Sequence, residues 1–139
     1  MNARHIWGIA ALCAVLAGAS RPAPRGESGP DLVTALGSTV PNWPHRDIAI
    51  TLTVRNIGDR PCPRSVCQIF IRNAHAPRQT IKIIKKIVRG LDAGDEFAFS
   101  FTIKLGLGMY EVEAVADRGN KIAESDETNN TVRLTLTGQ

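Results

Sequence analysis

The chain has 139 residues, 43% of them hydrophobic and only 5% aromatic, with 17 basic against 13 acidic residues and a net charge of +4. That length allows one domain around one core. The charge is modest and carries no interleaved aromatics, zinc spacing or helix-turn-helix pattern, which excludes a dedicated nucleic-acid binder, and solvated strand faces account for it.

Arg4 and His5 precede an apolar run, residues 6–16, which ends at Ala17-Gly18-Ala19 before Ser20. This is the pattern of a secretory signal peptide over residues 1–19, too short to span a membrane comfortably. Cleavage would remove Cys13 and Arg4, leaving 16 basic against 13 acidic residues, net +3. Leu12 before Cys13 argues against lipidation. The expected location is the periplasm or the medium. In an oxidising compartment the remaining pair, Cys62 and Cys67, is expected to form a disulfide, with free thiols as the alternative. A loop that short contributes at most about 2 kcal/mol. His45 and His75 stand in no metal-ligand spacing to these cysteines, and C-x4-C is not a thioredoxin motif.

Residues 20–29 read as a flexible tether, poor in apolar surface, and residues 30–139 as the domain. A short edge strand is expected at 31–36. Pro41, Trp43 and Pro44 then exclude a central strand. Trp43 reads either as a lid over one end of the fold or as a ligand-contact candidate. Residues 48–56 form the clearest strand, with Ile48, Ile50, Leu52 and Val54 on one face. Across 66–72, Cys67, Ile69 and Ile71 alternate with Gln68, Phe70 and Arg72.

Residues 80–88 are ambiguous between a basic amphipathic helix and a strand. The β-branched residues and the short length favour a strand that begins with Ile81 and Ile83 inward and changes face near Ile84. Its lysines would discourage edge pairing. After a Gly-bearing turn at 90–95, residues 96–104 alternate with Phe97, Phe99, Phe101 and Ile103 inward. Each phenylalanine, if fully buried, contributes roughly 1.5–3 kcal/mol. Residues 109–117 and 131–137 are the final strands, joined through a turn at 118–121 and a polar connection at 122–130. Seven short strands without a confident helix describe an all-β, immunoglobulin-like β-sandwich of about seven antiparallel strands.

The polar connection offers Asp117, Asn120, Glu124, Asp126, Glu127, Asn129 and Asn130. The preferred reading is a structural corner in which these side chains bond to nearby amides. The alternative is calcium, which takes six to eight oxygen ligands, although no EF-hand spacing occurs. The same stretch, Glu124-Ser125-Asp126-Glu127-Thr128-Asn129-Asn130, resembles the C-terminal signature of the CARDB family, the cell-adhesion-related domains found in bacteria. Pro30-Asp31-Leu32, Val54-Arg55-Asn56-Ile57-Gly58, the turn Gly90-Leu91-Asp92-Ala93-Gly94-Asp95-Glu96 and Gly108-Met109-Tyr110 match the rest of the pattern in order. Pro61-Cys62-Pro63 with Cys67 departs from it.

No Gly-x-Ser-x-Gly elbow occurs, and the paired carboxylates sit in one corner with no aromatic cleft suggested around them, so catalysis is not expected. No cofactor is implied. The resemblance implies an exported, non-catalytic adhesion-type binding or scaffolding module. Its expected partner is an envelope or extracellular protein or glycan, with self-association through a sheet edge as a further route. The alternative function is a calcium-dependent carbohydrate- or protein-binding module.

Overall fold

The computed structural model describes residues 13–14, 28–39 and 47–138. Trp43 and His45 lie outside the described residues, as does most of the expected signal peptide and tether.

Eight strands are described: β1 (Cys13–Ala14), β2 (Leu32–Thr39), β3 (Asp47–Asn56), β4 (Ser65–Asn73), β5 (Ala76–Val88), β6 (Glu96–Lys104), β7 (Gly108–Val115) and β8 (Thr131–Gly138). All pairings are antiparallel, in two sheets ordered β1-β2-β3-β6 and β5-β4-β7-β8. The seven longer strands make the expected immunoglobulin-like sandwich. β1 is two residues long and pairs Cys13 with Ser38 and Ala14 with Gly37, so it falls within the stretch expected to be cleaved.

Strand alternation builds the core directly. From the first sheet come Leu32, Leu36, Ile48, Ile50, Leu52, Val54 and Ile103, and from the second Cys67, Ile69, Ile71, Val88, Tyr110, Val112, Ala114, Val132, Leu134 and Leu136. β6 is an edge strand, so its aromatic row stands at the rim of this core. Phe97, Phe99 and Phe101 do point inward but remain half-buried, packed against the cluster rather than enclosed by it.

Residues 76–88 are strand, but with other faces than expected. Ile81 and Ile83 are exposed, whereas Ile84 packs toward the core and Val88 is buried in it. The register explains this: Ile84 pairs with inward Ile69 and Val88 with Ser65, while the shift between Ile71 and Arg72 absorbs the extra residue at Ile81. The irregularity therefore precedes the strand's core-facing half instead of dividing it.

Candidate functional site

The polar corner assembles from four separated pieces of chain, residues 28–34, 56–62, 91–95 and 117–130. Asn56 is at its centre and fully buried. It occupies the inward position that follows Ile50, Leu52 and Val54 along β3. Its Oδ1 accepts from the Asp31 amide at 3.0 Å and the Gly58 amide at 3.1 Å, and its Nδ2 donates to the carbonyls of Arg60 (2.8 Å) and Leu91 (3.1 Å). The 28–31 segment crosses directly over Gly58: the Ile57 amide donates to Asp31 O at 2.7 Å and the Asp59 amide to Gly29 O at 3.1 Å. A Cβ at Gly58 would overlap the Gly29 carbonyl oxygen, so this close crossing requires glycine.

The second sheet is tied in by the 117–130 connection. Glu124 Oε2 accepts from the Leu32 amide at 2.6 Å and Oε1 from Asn130 Nδ2 at 3.1 Å. Asn129 Nδ2 donates to Asp31 Oδ1 at 2.7 Å, and Thr34 Oγ1 donates to the Asn130 carbonyl at 3.2 Å. Asp117, at φ 37°, accepts the Ile122 amide on Oδ2 at 2.8 Å, and its carbonyl accepts the Asn120 amide at 2.7 Å, with Asn120 at φ 45°. Both are residue types that tolerate this left-handed conformation. Glu127 Oε1 accepts the Glu124 amide at 3.0 Å, and Asp126 Oδ1 accepts the Thr128 amide at 2.8 Å.

The seven corner residues singled out in the sequence thus share one connection but do not converge on one point. Glu124, Asn129 and Asn130 reach across to the first sheet or to each other; Asp117 with Asn120, and Asp126 with Glu127, fix separate local turns. This does not fit an oxygen cage, because a backbone amide occupies one oxygen of each of Asp117, Glu124, Asp126 and Glu127, and among the described residues no group of three or more His, Cys, Asp or Glu could hold a metal. Burial pushes the Glu124 carboxyl up to about 7, against the hydrogen bond from Leu32 and with the help of the Glu127 and Asp117 charges. Asn130 Oδ1 is buried nearby without a hydrogen-bond partner.

Sequence reasoning left Asp31, Thr34 and Asn56 out of the corner. Asn56 had a legible signal: it is a polar residue in the inward phase of an otherwise apolar strand. Asp31 and Thr34 had none, since their partners lie more than ninety residues away at Asn129 and Asn130.

The expected disulfide is not confirmed, because no Sγ–Sγ pair is found among the described residues. Cys62 and Cys67 are both free, buried thiols. Cys62 is held by reciprocal backbone bonds to Leu91, 2.7 and 2.9 Å, and its Sγ donates to Pro63 O at 3.3 Å. Cys67 faces the core from β4, opposite Lys86. Burial pushes the Cys62 thiol up to about 11 and the Cys67 thiol up to about 12, so neither presents a thiolate near neutral pH.

The opposite flank of the sandwich is built differently. β2 packs across β8 on the corner side, which leaves β6 and β5 as the facing edges on the other. There Phe99 and Phe101 stack with centroids 5.5 Å apart, and Lys86 Nζ lies 4.9 Å from the Phe99 ring. On the outer face of the second sheet, Ile83, Ile87 and Val66 are exposed and register with one another and with Phe70 across β5 and β4. Phe70 is covered by two guanidinium groups, Arg118 at 4.5 Å and Arg72 at 4.9 Å from its ring centroid.

Beyond Phe70 that face is self-neutralised. Glu113 lies between Arg133 (2.8 Å) and Arg72 (3.4 Å); burial alone would push its carboxyl up, but the two arginines hold it below the usual carboxylate range. A shallow depression of about 500 Å³ opens at the start of β5, lined by Ala76, Pro77, Arg78 and Gln79.

Comparison with known proteins agrees with this architecture. The CARDB domain of a Pyrococcus furiosus protein, solved by crystallography in complex with di-metal ions, superposes with a TM-score of 0.63 at 19% identity, covering 81% of this chain and 96% of that one. A domain of a protein assigned to the cell surface in Methanosarcina acetivorans gives 0.58 at 20% identity, covering 79% and 92%. β-Glucosidase 3B of Thermotoga neapolitana contains a similar unit, 0.52 at 15% identity over 79% of this chain but only 16% of the enzyme. At these identities the likeness is one of fold. Comparison with curated proteins gave no match. The CARDB family model matches residues 29–133, from the corner's first strand crossing into β8, and the chain therefore belongs to the CARDB family.

Proposed function

We propose that this chain is an exported, non-catalytic binding module of the adhesion or scaffolding type, acting on an envelope or extracellular protein. One observation carries the reading: the polar groups that could do chemistry are consumed in holding the two sheets together at the corner, while the opposite flank turns an apolar and cationic edge to solvent. Family membership supports it, as does the leader-like N-terminus. Calcium dependence is not favoured, because the corner's carboxylates already serve backbone amides.

The test is made in the native cell. Fractionation with N-terminal sequencing is expected to find a chain beginning near Ser20 outside the cytoplasm, and a lysine-directed crosslinker applied to intact cells is expected to join it to a discrete partner protein. An intact Met1 in the cytoplasmic fraction would overturn export. Thermal unfolding of metal-stripped protein with and without millimolar calcium is expected to superimpose, since an ion bound only by the folded state raises its stability. A calcium-dependent rise abolished by Asp126→Asn would instead make the corner a metal site.

A further inference from the structure

We propose that the free edge of β5 is the docking site, and that its occupant is an extended, acid-bearing segment of a partner protein added as a further strand beside β5. This rests on the reading of the chain as a binding module and names the surface and the partner's chemistry. Three features of the flank converge on it.

First, β5 is thirteen residues long and ends its sheet, so among the described residues one whole row of its backbone amides and carbonyls faces no strand. Such an edge is a template for strand addition. Second, the seam behind it is incompletely covered. Phe97, Phe99 and Phe101 on β6 are half-buried, and Ile84 only partly fills the space opposite. A strand beside β5 would send alternate side chains over this aromatic row and the intervening ones beside exposed Ile83 and Ile87.

Third, the charge is one-sided. β5 carries Arg78, Lys82, Lys85 and Lys86, none of which shares a salt bridge with an acid among the described residues, and Arg89 just beyond it meets only Asp95, at 3.7 Å with both side chains largely exposed. Elsewhere on the same sheet the arginines are matched by Glu111 and Glu113. Two copies of β5 brought edge to edge would set these cations against each other, which disfavours self-association by this route. An acidic strand gains from the same charges both in encounter rate and in selection against other partners.

The experiment uses the mature chain and a synthetic ten-residue peptide of alternating valine and glutamate, followed by fluorescence anisotropy. Saturable binding is expected, weakened at least about tenfold in the triple variant Arg78→Glu, Lys82→Glu, Lys85→Glu, whose unfolding curve should match the parent's because these three positions are exposed. The variant is expected to gain binding to the corresponding valine–lysine peptide. N-methylation of alternate amides along the valine–glutamate peptide should abolish binding by removing the edge hydrogen bonds while keeping every charge.

Equal binding of the N-methylated peptide, or no saturable binding of the unmodified one, would overturn strand addition. Tight association with phosphatidylglycerol vesicles in the absence of peptide binding would assign the flank to an anionic membrane surface instead. Concentration-dependent dimerisation in sedimentation, lost in the triple variant, would assign it to a second copy. Crosslinking in cells is a separate readout: a partner captured there with no peptide binding here leaves the module reading standing and removes only this edge.

Discussion

The two flanks of the sandwich treat polar groups in opposite ways. At the corner, Asn56, Asp31, Glu124, Asn129 and Asn130 are drawn inside and bonded to one another or to backbone from distant parts of the chain. At the β5–β6 flank, cations and isoleucines stand in water, and the aromatic row behind them is half covered. The difference teaches where each kind of change should register. Buried polar groups lose their full desolvation cost when a partner is removed, whereas exposed groups lose little stability and matter for what docks on them.

The largest expected effect is at the corner. Asn56→Ala leaves the Asp31 and Gly58 amides and the Leu91 carbonyl without their partner in a buried setting. A loss of about 3 kcal/mol or more is expected, read from urea unfolding. A loss below about 1 kcal/mol would mean that the corner is ornamental and the comparison unfounded.

Next come the two ends of the apolar core. Leu52→Ala, at a fully buried position of β3, is expected to cost about 2–5 kcal/mol. Phe99→Ala, at the open rim, is expected to cost less, about 1–2 kcal/mol, despite the larger side chain, because its ring is only half removed from water. Equal costs, compared in the same denaturant series, would show the β5–β6 seam to be closed in solution.

A smaller effect sharpens the corner's chemistry. Glu124 titrates near pH 7 in the folded chain against an ordinary value of 4.5. The proton is therefore held more tightly by the folded state, and the group's contribution to stability is complete below pH 4.5 and is lost as pH rises to about 7. Glu124→Gln is expected to flatten the stability profile across that window relative to the parent. Parallel profiles for the two proteins would sink the assignment.

The smallest effect concerns the thiols, where no change in fold is expected. With both pushed far above neutrality and buried, Cys62 and Cys67 should resist a thiol reagent at neutral pH in native protein and both react once denaturant is added. Failure to react in denaturant until a reductant is supplied would restore the disulfide.

Local sequence determined the strands, because a period of two in Ile48, Ile50, Leu52 and Val54, or in Val132, Leu134 and Leu136, needs no distant information to be read. It also marked the polar corner, where the side chains of Asp117, Asp126 and Glu127 bond to amides a few residues away. The tertiary structure alone decided which strands became edges, and so left the phenylalanines of β6 half-buried when their alternation matched that of central β3. It alone decided the faces of β5, since Ile81, Ile83 and Ile84 are chemically equivalent and only the register against β4 distinguishes them. It brought Asp31 to Asn129 and Leu32 to Glu124 across more than ninety residues, a pairing set by which sheet each strand joins and invisible to any local window.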